Sequence, residues 1–439
     1  MNYFSKKCGS VIKILITLFF LINSFVFAGD VVSELGQNQT VTYELTGVFG
    51  QENHVVTYNV GDELKKVLDR KIRQLNIPGI SLAILNENGE LYTLTDGVAD
   101  EDTNDNVTKD TLFKVGSITK TFISMTILQL IQEGKLSFDD TLGELLPDES
   151  KILSGFNPDN ITIRQLLTHT SLICSFTETS GWAEVMQYKP TYQWSTDELL
   201  YTVSPYSQSD CNSPGQTWHY SNTNYVLLGK IIEKLTGHTW GYEVEERFIK
   251  PLGLTNTHIP SEESTYFEDL PNLAHGYINW QFETSPITDV TSINPTFTGS
   301  SGEIISTPTD LAKWVMAIAQ GKVIDQDMLS KLVSPDSFVS TTYEGYFYSF
   351  GIMKIPGYNV AGHAGGHPGF DCTMQYIGGE DDVVAICSNR TYGDRQKTDT
   401  AILYSVLKVL YPYRDLEPLP KTFAGYEYPV GNMSIMQEY

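Results

Sequence analysis

Asp110-Thr-Leu-Phe-Lys-Val-Gly-Ser-Ile-Thr-Lys120 runs straight into a segment, Thr121 to Glu133, that is apolar nearly all round and is stopped by Gly134. A helix without a polar face is buried at the centre of a domain. The pattern therefore predicts a core helix from about Ser117 to Glu133, with Ser117 at its N-terminal end. Ser117 and Lys120 stand three residues apart, so they share a helix face and the amine can reach the hydroxyl. A free serine hydroxyl is a weak nucleophile near neutral pH. An ordinary lysine, with a pKa of ~10.4, is almost wholly charged there. Burial on an apolar helix, near the positive end of its dipole, favours the neutral amine and makes it a usable base.

Outward from this helix the chain divides by pattern. Leu64, Val67, Leu68, Ile72 and Leu75 fall at helical spacing within Asp62 to Asn76, and Pro78-Gly79 ends that helix. Two short strands follow, Ile80–Leu85 and Leu91–Thr95, joined by an Asn-Gly turn. From about Ser137 to Gly302 the pattern changes to short helices and long aromatic loops, with helices from Ile161 to Thr168 and from Tyr225 to Leu235. A helix start at Ser306–Leu311 has Thr307 or Thr309 as candidate cap. After it come strands near Phe347–Ile355, Tyr358–Gly362 and a 370–389 hairpin, then a terminal helix, Asp394–Tyr411. Strands at both ends with a helical middle give a mixed α/β (α+β) fold: one antiparallel sheet, flanked by helices from both chain ends, plus an inserted all-α domain. The expected division is an α/β domain from 59–136 and 303–412, a mainly helical insertion at 137–302, an extended N-terminal segment at 29–58 and a C-terminal tail at 413–439.

Lys6, Lys7 and Lys13, the apolar run Ile14 to Phe27 and the small-residue ending Val26-Phe27-Ala28 read as a secretory signal over residues 1–28. The apolar run is shorter than the ~20 residues that span a bilayer, so no stable membrane anchor is expected once the signal is cleaved. The chain is then secreted or periplasmic. Removal of the three lysines leaves 26 basic residues against 53 acidic ones. Such a surface repels nucleic acid and gains nothing from anionic lipid. Of the four cysteines left, Cys372 and Cys387 fall opposite each other across a hairpin turned at Gly378-Gly379-Glu380-Asp381, which favours a Cys372–Cys387 bridge and leaves Cys174–Cys211. The acidic run Asp100–Asn106 lacks the glycine and glutamate of a calcium loop and reads as solvated.

Two further strings accompany Ser117–Lys120: Tyr220-Ser221-Asn222 and His363-Ala364-Gly365. Each string alone is weak: Ser-x-x-Lys recurs at Ser10–Lys13 and Ser405–Lys408, and Tyr-x-Asn at Tyr277–Asn279, so setting decides. The runs 110–120, Ile161-Thr-Ile-Arg-Gln-Leu-Leu-Thr-His-Thr-Ser171, Pro214–Asn222, Ile231–Gly237, Pro251–Thr257 and Gly362-His-Ala-Gly-Gly-His-Pro-Gly-Phe370 together resemble the β-lactamase-related serine hydrolases, in family order over roughly 62–411. That family includes class C β-lactamases, D-alanyl-D-alanine carboxypeptidases and related esterases. The resemblance implies a β-lactamase/transpeptidase-like fold with its site between the two domains and an acyl-enzyme at Ser117. Lys120 and Tyr220 are alternative acylation bases, and Asn222 positions Lys120 and the substrate amide. His363 steadies protons near Tyr220, and the backbone N–H groups of Ser117 and Gly366 form the oxyanion hole. Ala364 and Gly365 line the substrate.

The family usually carries hydroxyl residues where this chain has Ala364 and Gly366, and those hydroxyls help hold a substrate carboxylate. Their absence weakens a carboxypeptidase or β-lactamase reading and raises an esterase or another amidase. Residues 173–213, with Cys174, Cys211, Trp182 and Trp194, are expected to form a disulfide-tied aromatic lid that touches substrate. His367 reads as loop. The pair His363-x-x-x-His367 is rejected as a zinc site because Gly365-Gly366 intervenes and no HExxH motif accompanies it; no cofactor is expected. The leading expectation is an exported D-alanyl-D-alanine carboxypeptidase-like serine peptidase acting on a small peptide, β-lactam or ester. Esterase, β-lactamase and a non-hydrolytic penicillin-binding module are the alternatives.

Overall fold

The computed structural model describes residues 40–45, 54–213, 215–279, 286–342, 345–355, 359–392 and 398–412. The signal-sequence reading at 1–28 and the tail at 413–439 lie outside the described residues. Strands β1 (Thr40–Leu45) and β2 (His54–Asn59) pair antiparallel, which makes part of the expected extended segment a hairpin. A helix follows at once, Val60–Gln74, capped by Asn59, whose side chain accepts from the Asp62 N–H.

The architecture is an antiparallel sheet layered between helices. Its strands are β3 (Gly79–Leu85), β4 (Leu91–Gly97), β9 (Val339–Ser340), β10 (Phe347–Tyr348), β11 (Met353–Ile355), β12 (Val360–His367), β13 (Phe370–Ile377) and β14 (Asp382–Ser388), in the order β4-β3-β14-β13-β12-β11-β10-β9. Every residue of β3 is buried. Ile80, Leu82 and Ile84 meet Leu64, Val67 and Leu68 of the first helix and Val406 and Leu407 of the terminal helix, Thr398–Leu410. The opposite face, with Ala83 and Ala385, packs into the larger core shared with the helices Thr119–Gln132 and Pro308–Ala319. Each side chain such as Leu68 that is fully buried here contributes roughly 1.5–3 kcal/mol.

Three strand expectations are corrected. The single strand at Phe347–Ile355 is two strands, β10 and β11, because the chain reverses between them, with Ser349 N–H on Ile352 O and Gly351 at φ +76°. The strand placed at Tyr358–Gly362 is β12, which runs on to His367, since β13 pairs with it along its whole length. His367 is therefore no loop residue: it is the buried last residue of β12, opposite Phe370, and the chain turns at Pro368-Gly369. In the 370–389 hairpin Cys372 lies opposite Cys387, and these two are bonded; Cys174 is bonded to Cys211.

Short helices fill most of 142–252. The helix Asn222–Thr236 starts three residues before the predicted Tyr225 and ends at Gly237 in the left-handed region. Strands β5 (Phe113–Lys114) and β8 (Ile305–Ser306) pair antiparallel, and Tyr277–Asn279 is strand β6, against β7 (Thr288–Asp289) and parallel to β15 (Arg390–Tyr392). The chance match Ser405–Lys408 lies in the terminal helix, where Ser405 Oγ bonds Ala401 O. Among the described residues no helix is long and apolar enough to cross a membrane.

Candidate active site

Four stretches of chain meet at Ser117. The first is the turn Gly116–Ile118, one tight 3-10 turn that feeds the buried helix Thr119–Gln132. Gly116 has φ +53°, and a Cβ there would lie 2.3 Å from Gly366 O. Gly365 faces the same turn: a Cβ on it would come within 1.9 Å of Val115 O and 3.0 Å of Ser117 N. Two glycines thus let β12 lie backbone to backbone against the serine turn, which brings Gly366 beside Ser117.

Lys120 is fully buried on the helix face that carries Ser117. Its Nζ lies 3.0 Å from Ser117 Oγ, 2.7 Å from Asn222 Oδ1 and 2.8 Å from Ser301 O. It also stands 5.0 Å from the centre of the Tyr220 ring and 5.6 Å from that of Tyr225. Burial holds its pKa well below the ordinary lysine range. Asn222 Oδ1 and Ser301 O can only accept. A neutral amine has two N–H groups for these two oxygens and one lone pair left, directed at Ser117.

Tyr220 and Asn222 arrive at the start of the Asn222–Thr236 helix. His169, which sequence reasoning did not single out, organises this approach from the C-cap of the helix Ile163–Thr168 with left-handed backbone, φ 60°. Its carbonyl accepts from His219 N, and its Nδ1 accepts from Ser221 N at 3.1 Å and lies 3.3 Å from Asn224 Nδ2. Its ring lies 4.3 Å from that of Tyr220. Because a backbone N–H can only donate, Nδ1 must be the acceptor and the proton sits on Nε2. Burial and the nearby Lys120, His363 and His219 hold this imidazole well below its usual pKa. The one available signal was its place in the 161–171 run.

His363 is fully buried. Nε2 lies 3.1 Å from Tyr348 Oη and Nδ1 lies 2.5 Å from Ala364 O. Tyr348 Oη donates to Tyr225 Oη at 3.4 Å, and Tyr225 Oη lies 3.1 Å from Ser124 Oγ. Burial pushes the Tyr225 hydroxyl up to about 12 and the Tyr348 hydroxyl well above its ordinary value. The third string is therefore tied through tyrosine hydroxyls to the helix that carries Lys120. Ala364 is buried beside it on β12.

The aromatic insertion differs from the expected lid. Trp182 is fully buried, its Nε1 donates to Phe297 O, and its ring stacks on Phe297 at 5.5 Å. Trp194 is also buried, with its backbone N–H on Thr296 Oγ1. Trp182 is thus a core side chain, because an indole enclosed on all sides offers no face to a substrate. Tyr188, Tyr192 and Tyr201 are the exposed aromatics of this stretch. His363 and His367 stand four residues apart on an extended strand, roughly 13 Å at ~3.3 Å per residue, too far to share one ion.

A second buried lysine, Lys114, lies just before the serine turn. Its Nζ donates to Thr291 O and Ile293 O, and burial pushes it down to about 7. Those two carbonyls precede the turn Pro295–Ser301, which delivers Ser301 O to Lys120.

The profile of the Beta-lactamase family matches residues 64–407. The chain belongs to that family. Penicillin-binding protein 4 of Amycolatopsis lactamdurans is 26% identical over 333 residues, which span 72% of this chain and 81% of the relative. Among solved structures, a D-stereospecific amidohydrolase from Streptomyces sp. is 30% identical with a TM-score of 0.66, covering 75% of this chain and 94% of that one. The D-amino acid amidase of Ochrobactrum anthropi SV3, solved with D-phenylalanine, shares the fold at a TM-score of 0.70 and 22% identity, covering 81% and 100%. This member of the Beta-lactamase family accordingly has the antiparallel sheet and flanking helices of the β-lactamase/transpeptidase-like fold, within a family of hydrolases that takes in penicillin-binding proteins and amidases.

Proposed function

We propose that this chain is an exported serine hydrolase that cleaves an amide bond through an acyl-enzyme at Ser117, acting on D-configured amino-acid amides or short peptides. The observation that carries the reading is the environment of Lys120 Nζ: two obligate acceptors on one side and Ser117 Oγ at 3.0 Å on the other. In the neutral state the lone pair takes the Ser117 proton as Oγ attacks the carbonyl carbon. The oxygen then develops charge in reach of the Ser117 and Gly366 N–H groups. The resulting ammonium passes its proton to the leaving nitrogen, with Tyr220 beside it, and the C–N bond breaks. Water repeats the sequence on the ester, returning Ser117 and releasing the acid.

A substrate without a terminal carboxylate is favoured over the carboxypeptidase reading by Ala364 and Gly366, which offer no side-chain hydroxyl to such a group. The amidohydrolase relative points the same way. Carboxypeptidase action on D-alanyl-D-alanine is the second reading, supported by the penicillin-binding relative. Export rests on the signal-like first 28 residues and the two disulfides.

The test is turnover of a D-amino acid amide, a D-Ala-D-Ala peptide, a p-nitrophenyl ester and a chromogenic cephalosporin by wild type and Ser117→Ala, with fluorescent penicillin labelling alongside. Ammonia release from the D-amide that vanishes in Ser117→Ala supports the proposal. D-Ala release as the faster reaction moves the protein to the second reading. Equal behaviour of the two proteins on all substrates removes Ser117 from the chemistry.

A further inference from the structure

A carboxamide side chain can be turned by 180° with almost no change of shape, so its orientation is set by its partners. Asn222 has Oδ1 on Lys120 Nζ at 2.7 Å and Nδ2 on Thr177 Oγ1 at 3.1 Å. On the lysine side either orientation finds a match, because a neutral amine both donates and accepts. The Thr177 side discriminates once the Thr177 hydroxyl gives its own proton to Ser175 Oγ, because only its lone pairs then face Asn222 and only Nδ2 can meet them. There the hydroxyl of Thr177 lies 2.8 Å from Ser175 Oγ, and Ser175 Oγ in turn accepts the backbone N–H of Asn222 at 3.1 Å. Ser175, Thr177 and Asn222 are all buried, so bulk water does not replace a lost partner.

The same stretch is stitched to the start of the Asn222 helix by its main chain. Cys174 O accepts from Ser221 Oγ at 3.2 Å and from Thr223 Oγ1 at 2.7 Å, and Phe176 N donates to Thr223 Oγ1 at 2.9 Å. The Cys174–Cys211 bond anchors its first residue. The segment expected to be a lid is thus, at 174–177, a cradle around one amide.

We propose that Thr177 is a positioning residue, which holds the Asn222 amide with its oxygen toward Lys120 and keeps the lysine lone pair open to the Ser117 proton. The inference rests on the acyl-enzyme reading above. If the amide turns over, its N–H points at Nζ and occupies that lone pair, and its dipole opposes the ammonium form.

The comparison is between wild type, Thr177→Val, which keeps the shape and removes the hydroxyl, and Thr177→Ser, which keeps the hydroxyl. Their thermal unfolding is recorded first, to confirm that each folds. Two readouts are used: the pH profile of Ser117-dependent turnover, and the titration of Lys120 by NMR on [13Cε]lysine-labelled protein, with Lys120→Arg for assignment. The second needs no substrate. Thr177→Val is expected to lower kcat by roughly tenfold or more with KM little changed. Its acid limb and its Lys120 midpoint move to lower pH, and Thr177→Ser stays close to wild type in both. An unchanged midpoint in Thr177→Val, or an equal change in the serine variant, overturns the inference. Loss of Ser117 dependence in wild type with the midpoint shift intact sinks the acyl-enzyme reading and leaves the positioning role standing.

Discussion

Glu303 lies two residues beyond the carbonyl that receives Lys120, and it is 2% exposed. Burial pushes its carboxyl up from 4.5 to about 7 against the hydrogen bonds it accepts from Ser261 N and Oγ; the nearby Glu262 and Glu233 push it further the same way. A carboxyl with a raised folded pKa binds its proton more tightly in the folded state than in the unfolded one. Its contribution to stability is therefore fully present below pH ~4.5 and is lost as pH rises through ~7. At ~1.36 kcal/mol per unit the loss comes to about 3 kcal/mol. Glu303→Gln keeps an acceptor for Ser261 and cannot ionise. Urea unfolding of the two proteins across pH 4.5–8 is expected to show the variant gaining about 3 kcal/mol on wild type between the two ends, most of it between pH 5 and 7. Any fixed difference from the new amide N–H is the same at each pH and drops out of the comparison. Parallel stability curves would falsify the assignment of a buried, protonated Glu303.

Lys120→Met is expected to cut the rate of Ser117 acylation by ~10²–10⁴ in stopped-flow measurements, with the fold retained; a drop of less than fivefold removes Lys120 as the base. The glycines of β12 should respond unequally. Gly365→Ala drives a Cβ into Val115 O and abolishes acylation, whereas Gly366→Ala, whose Cβ meets only Asp371 Oδ1 at 3.5 Å, keeps its N–H and most of its turnover. Similar losses in both variants contradict the close packing of β12 on the serine turn. His169→Phe leaves Ser221 N–H without its acceptor and puts phenylalanine in left-handed backbone, for a destabilisation of about 2–4 kcal/mol. His169→Asn, which tolerates that backbone, should melt higher than the phenylalanine variant, and the reverse order counts against the clamp.

Ser117 and Lys120 were legible because spacing and burial are both written in the residues: three positions apart on a helix with no polar face. The Cys372–Cys387 pairing was legible because a hairpin of known turn dictates its opposites. Asn222 came only through resemblance, and what holds it did not come at all. Ser301 acts through a carbonyl, which every residue type possesses, so no letter of the sequence marks it. Ser175 and Thr177 are common hydroxyl residues whose use depends on a fold that brings 175 against 222. The indole of Trp182 was misjudged because an aromatic-rich insertion reads alike whether its rings face a cleft or the Phe297 side of the core. Strand β12 was cut short at Gly362 because three glycines in Gly362–Gly366 carry little strand propensity; pairing with β13 overrides it.

The placement of β3 between β4 and β14 has a consequence for the birth of the molecule. Gly79 N–H bonds Asn389 Oδ1, a residue 310 positions further along the chain. At ~5–20 residues synthesised per second, that separation is roughly 15–60 s during which the most buried strand of the sheet has no partner on one edge. Ser117, Lys120, Tyr220 and Asn222 are all made in that interval, yet the strand that carries Gly366 comes last of the four stretches. A ribosome-bound or truncated chain therefore holds Ser117, Lys120, Tyr220 and Asn222 and lacks the strand that brings His363 and Gly366 against them. Completion of the C-terminal strands sets the moment at which the centre is assembled.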